Sequence, residues 1–91
     1  LLSNNFVVSN IFPNPFNPLS SFELYVPEQK KLDIKVFNIL GEEVDVINEQ
    51  KIFDIGNYKI VWDADHHPSG IYYVLIYDRS TVIKRKMILI K

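Results

Sequence analysis

Residues 70–91, reading GIYYVLIYDRSTVIKRKMILIK, constrain the fold more than any other part of the chain. The stretch is dense in β-branched and aromatic residues, which suit the pleated, half-buried surface of a sheet. A polar break, Asp78-Arg79-Ser80-Thr81, divides it into two strand-length halves and predicts a β-hairpin. In the first half Ile71, Tyr73, Leu75 and Tyr77 share one face, and Tyr72, Val74 and Ile76 share the other. A strand apolar on both faces belongs inside a sheet or beside a covering segment. The second half runs to Lys91 with no polar tail. Chain ends fray unless something ties them down, so Met87-Ile88-Leu89-Ile90-Lys91 predicts a terminus that is structural or is read by a partner.

The preceding residues also alternate. Phe6-Val7-Val8 reads as a short first strand at an edge, followed by Ile11-Phe12-Pro13-Asn14-Pro15-Phe16-Asn17-Pro18. Prolines donate no ladder hydrogen bond and disfavour helix in the residue before them. Residues 1–19 are therefore expected to be an extended or turning opening segment, with Phe12 and Phe16 pinned to a core. Phe22, Leu24 and Val26 alternate with Glu23 and Tyr25 in a half-buried strand that stops at Pro27. Glu28-Gln29-Lys30 form a turn. A second strand then carries Leu32, Ile34 and Val36 against Asp33 and Lys35, ending at Gly41, where a tight reversal calls for positive φ. Val44 and Val46 mark a short return strand. Residues 48–56 show no period and predict a crossing loop anchored by Ile52, Phe53 and Ile55. Tyr58, Ile60 and Trp62 form the next strand, and residues 63–69 a polar loop.

No segment has helical periodicity of useful length. About seven short strands, with turn signals every ~8–12 residues, predict an all-β, immunoglobulin-like antiparallel β-sandwich. Ninety-one residues support one domain spanning 1–91, with Trp62 as its central core residue. The chain has no cysteine, which excludes a disulfide framework, thiol nucleophiles and thiolate metal sites. A net charge of −1 and scattered lysines exclude a nucleic-acid footprint, and no apolar run is long enough to span a bilayer. The start at Leu1-Leu2-Ser3, without an initiator methionine, predicts a domain cut from the end of a longer protein.

Chemistry has few candidates. Asp63-Ala64-Asp65-His66-His67 places two carboxylates two residues apart, which can share a hard cation through oxygen ligands. The stronger expectation is a solvated loop whose aspartates cap turns. Ser69 lies near His67, but no nucleophile-elbow pattern surrounds it. Glu42-Glu43 fall in a turn, and there is no phosphate loop or dinucleotide fingerprint. A non-enzymatic domain without cofactor is expected. Lys84-Arg85-Lys86 is a basic run within the last strand. It reads either as charge that discourages edge-to-edge pairing or as a patch for a receptor or an anionic glycolipid.

Taken in order, these pieces resemble the type A C-terminal sorting domains of the type IX secretion system. The likeness is carried by Phe12-Pro13-Asn14-Pro15-Phe16-Asn17-Pro18, Leu24-Tyr25-Val26-Pro27-Glu28 and Val36-Phe37-Asn38-Ile39-Leu40-Gly41-Glu42-Glu43-Val44. It continues at Val61-Trp62-Asp63, Ser69-Gly70-Ile71-Tyr72-Tyr73 and Lys84-Arg85-Lys86-Met87-Ile88-Leu89. The resemblance implies an immunoglobulin-like sandwich that directs an N-terminal cargo across the outer membrane of Bacteroidetes-like bacteria. It further implies transit through the periplasm to the cell surface or medium, with a sortase-like peptidase as a second partner. Onto the family's terminal signal map Gly70, Tyr72, Lys84, Arg85, Lys86 and Lys91; Pro13, Asn14, Pro15, Asn17, Pro18, Gly41 and Trp62 map onto structural motif positions. His66-His67-Pro68 departs from the family's loop, which is usually richer in Gly and in Asp or Arg. Two other readings remain at this stage. One is the immunoglobulin-like domain of flagellar hook-capping proteins. The other is a carbohydrate-binding module using Tyr25, Phe53 and Tyr72 as an aromatic platform.

Overall fold

Each alternating stretch becomes a strand in the computed structural model, which describes residues 5–91. Residues 1–4, the start of the opening segment, lie outside the described residues. The strands are β1 (Val7–Val8), β2 (Leu19–Val26), β3 (Lys30–Asn38), β4 (Glu43–Phe53), β5 (Gly56–Asp63), β6 (Gly70–Tyr77) and β7 (Val82–Leu89). They form a three-stranded sheet, β1-β2-β5, and a four-stranded sheet, β4-β3-β6-β7, with every strand pair antiparallel. The fold is an all-β sandwich of the immunoglobulin-like kind. No helix among the described residues is long and apolar enough to cross a membrane.

Period-2 alternation decides what faces inward. Phe22, Leu24, Val26, Ile60 and Trp62 of the small sheet meet Leu32, Ile34, Val36, Val74 and Ile76 of the large one, all of them buried. β6, apolar on both faces, lies between β3 and β7, as its sequence demands.

Trp62 is buried and joins the layers by a polar bond as well as by packing. Its Nε1–H donates to Asp45 Oδ2 at 2.8 Å, from β5 to β4. Its ring meets Phe16 at 5.9 Å and Tyr72 at 5.3 Å between centroids. His67 closes the cluster, its ring 5.3 Å from Trp62 and its Nε2 3.9 Å from the same Asp45 oxygen.

The structure corrects two expectations. Residues 48–56 are not a crossing loop: β4 continues for eleven residues to Phe53, and only Asp54-Ile55 reverse the chain. The strand carries no clear alternation because it is an edge strand and slips in register against β3 in three places. At Gln50 the backbone turns to φ +49°, and its N–H and Nε2 donate to the two carboxylate oxygens of Asp33 at 3.0 and 2.6 Å. Asp33, buried on the outer side of β3, is satisfied by that irregularity. Of the predicted anchors only Phe53 is buried; Ile52 and Ile55 are exposed. Bulged edges of this kind resist pairing with another sheet.

The second correction concerns Phe12, which is 77% exposed, whereas Phe16 is buried. Phe12 exchanges backbone hydrogen bonds with Ser21 of β2 at 2.8 and 3.0 Å, which holds it at the outer surface of the small sheet near Leu19 and Val61.

Two turns are built by side chains. Asn38 Oδ1 accepts the N–H groups of Leu40 and Glu42, and its Nδ2 donates to Glu42 Oε1 at 2.7 Å. Gly41 there takes φ +79°, a conformation that costs other L-residues about 1–2 kcal/mol. In the β6–β7 turn, Asp78 Oδ1 accepts the N–H groups of Ser80 and Thr81. Burial pushes the Asp78 carboxyl up, but those bonds, the Ser80 hydroxyl and the Lys30 ammonium together hold it below the usual carboxylate range. A depressed folded-state pKa adds stability above the unfolded value of ~3.9, and that stability is lost as pH falls through the folded value. Asp78→Asn should therefore flatten the acid limb of the stability curve below about pH 4. Parallel acid limbs in wild type and variant would contradict this.

Candidate functional site

The terminal strand β7 presents two different faces. Met87 and Leu89 are buried, with Ile83 partly buried against the same core. Val82, Lys84, Lys86 and Ile88 alternate with them on the outer face of the four-stranded sheet. Antiparallel pairing sets Lys84 opposite Leu75, Lys86 opposite Tyr73 and Gly70 opposite Leu89. Lys84 Nζ lies 4.9 Å from the centroid of the Tyr73 ring, a cation–π placement.

β7 is the edge of its sheet, yet half of that edge is covered. Phe16 N–H donates to Ile88 O at 2.9 Å, and Ile90 N–H donates to Phe16 O at 3.0 Å, a single parallel pairing. Beside it, Asn14 Oδ1 accepts Ile88 N–H at 2.8 Å and Asn14 Nδ2 donates to Lys86 O at 2.9 Å. The side-chain amide thus stands in for the peptide group of a neighbouring strand. Pro13 and Pro15 flank it and have no N–H, so the covering segment cannot itself be extended into a further strand. Pro13 O and Pro18 O are in turn held by Ser20 Oγ and Ala64 N–H at 2.7 and 2.9 Å. The proline-rich motif is an edge guard for the terminal strand. Asn14→Ala should lower stability by about 1–2 kcal/mol through two lost hydrogen bonds, read as a shifted denaturant midpoint with unchanged slope. An unmoved midpoint would show that the amide guards nothing.

Other terminal residues are tied into the fold as well. Arg85, on the inner side of β7, donates from Nε to Ser9 O at 3.2 Å and from Nη2 to Val8 O at 2.8 Å, clipping β7 to the other sheet. The run Lys84-Arg85-Lys86 therefore splits into two outward ammonium groups and one guanidinium that links sheets. Tyr72 is buried; its hydroxyl donates to Pro68 O at 2.6 Å, and burial pushes its phenol above the ordinary range. Lys91 donates its N–H to Ser69 Oγ at 2.9 Å and its ammonium to Asp65 O. Asn17 is exposed beside the guard.

The remaining candidates for chemistry do not assemble. Asp63 Oδ1 accepts Asp65 N–H at 3.0 Å, a turn cap, and no group of three His, Asp or Glu residues among the described residues is placed to hold a metal ion. Ser69 Oγ receives the Lys91 N–H while His67 faces Asp45. Phe53 and Tyr72 are buried, so only Tyr25 of the proposed sugar platform is exposed.

The roles of Asn14, Arg85 and Asp33 were not legible in the sequence. The one available signal was an amide between two prolines, a polar residue that a strand edge can use where prolines cannot donate.

Comparison with curated proteins gives no match. The family model described as the secretion system C-terminal sorting domain matches residues 10–91, from the guard motif to the terminal strand. The chain belongs to that family, a non-catalytic sorting-signal domain for export through the type IX secretion system.

Proposed function

We propose that this domain works as a folded address label: a cargo joined on its N-terminal side is carried through the periplasm and across the outer membrane because the export machinery reads the outward side chains of β7. The observation that carries this is the division of labour in the terminal strand. Met87, Leu89, Arg85 and Tyr72 serve the fold, while Lys84 and Lys86 point outward with no carboxylate partner among the described residues. The guard over Lys86 and Ile88 argues for reading by side chains rather than by addition of a strand along the whole edge. Gly70 and Lys91 belong to the same end of the sandwich and shape it. After export, a sortase-like peptidase separates label from cargo, leaving the cargo at the cell surface or in the medium.

The test is a fusion of residues 1–91 behind a signal peptide and a fluorescent cargo, expressed in a bacterium that has the type IX system. Fluorescence should reach the surface or medium. Retention in the periplasm equal to that of cargo without the domain would sink the reading.

A further inference from the structure

The outer face of the four-stranded sheet has a groove that neither the hydrophobic core nor the edge guard uses. It measures about 400 Å³ and is floored by Phe37, Tyr73 and Leu75, with Ile39 of the β3–β4 turn on one side and Lys84 on the other. Register explains the floor: Phe37 pairs with Tyr73 and Lys35 with Leu75 across β3 and β6, so their side chains lie in adjacent rows.

The charges around it are uneven. At the β4 side of this face, Lys35 Nζ lies 3.5 Å from Glu43 Oε1 and 3.8 Å from Glu49 Oε2, so that cation is answered within the fold. At the β7 side, Lys84 and Lys86 sit opposite Leu75 and Tyr73, with no carboxylate within ion-pair reach among the described residues. The small sheet offers a rival apolar surface around Phe12, Leu19 and Val61, with a single lysine, Lys59, among its lining residues. The groove on the large sheet sets two lysines without an ion-pair partner among the described residues, Lys84 in its lining and Lys86 opposite Tyr73, beside an apolar floor.

We propose that this groove is a docking site for an extended peptide segment of the export machinery, one that buries a large apolar side chain against Phe37, Tyr73 and Leu75 and sets carboxylates against Lys84 and Lys86. The inference rests on the sorting reading and names the chemistry of its partner. Lys84 already lies over Tyr73, so the cation is held beside the apolar floor and an incoming carboxylate meets it without first ordering a free side chain. Opposite charge across such a contact sets register and rejects wrong partners, while the apolar anchor supplies affinity.

Three variants of the cargo fusion decide the matter: Lys84→Glu/Lys86→Glu, Lys84→Gln/Lys86→Gln, and Lys59→Glu on the opposite sheet. Protease resistance of retained fusion monitors folding. The double Glu variant should lose at least about tenfold in export, since like charges in contact cost several kcal/mol. The double Gln variant should lose less, and Lys59→Glu should export as wild type. Equal export by wild type and a folded double Glu variant would overturn the groove proposal, as would an equal loss with Lys59→Glu. If the double Glu variant is protease-sensitive, the Gln variant decides: a loss supports the groove and wild-type export overturns it. Failure of the wild-type fusion to leave the periplasm would instead overturn the sorting reading.

Discussion

Trp62→Ala is expected to leave the sandwich without a cooperative unfolding transition at room temperature. Truncating a buried aromatic costs about 3–5 kcal/mol, and a chain of this size has only about 5–10 kcal/mol in total. Here the loss exceeds packing. Phe16 and Tyr72 each lose a ring neighbour, and Asp45 loses the indole N–H that links β4 to β5. Removing one partner from a part-buried polar pair adds to the cost. Thermal or urea unfolding followed by circular dichroism checks the result. A cooperative melt close to that of the wild type would show that the cluster is not a keystone. Trp62→Phe, which keeps the ring but not the donor, should fall between the two.

Deleting residues 86–91 is the second large effect, and it acts on the fold before it acts on sorting. The deletion removes Met87 and Leu89, both buried. It also strips the C-terminal half of β7 from β6, and Asn14 and Phe16 lose every bond of the edge guard. Two buried aliphatic side chains at about 2–5 kcal/mol each match the whole stability of about 5–10 kcal/mol. The truncated chain should give no cooperative melt and should be degraded quickly by protease. A folded, protease-resistant truncation would refute this. Because the same residues carry core and outer face, lost export by the deletion would not locate the address. Substitutions at Lys84 and Lys86 leave Met87 and Leu89 in place, so they separate the two roles.

Strand order along the chain was legible because alternation is local. Phe22-Glu23-Leu24-Tyr25-Val26 declares which side is buried whatever it packs against, and Gly41 and Pro27 mark where strands end. β4 was only half legible, since an edge strand with bulges buries little and its residues have no reason to alternate. Phe12 and Phe16 look equivalent in sequence. They part because the backbone of Phe12 pairs with β2 while that of Phe16 pairs with the end of β7.

The sequence by itself determined the all-β class, the hairpin over residues 70–91 and the family, since each is carried by ordered local patterns. It also marked the second half of that hairpin, residues 82–91, as a strand dense in apolar residues. Only the tertiary structure decided which residues of that strand are available to a partner. Asn14 and Ile88 lie 74 positions apart, and Arg85 and Val8 lie 77 apart. Contacts over such separations leave no periodic trace in the residues that make them. The terminal strand is thus guarded along half its edge, anchored through Arg85 and open through Lys84 and Lys86, a division that becomes visible only once the two sheets and the opening segment are packed together.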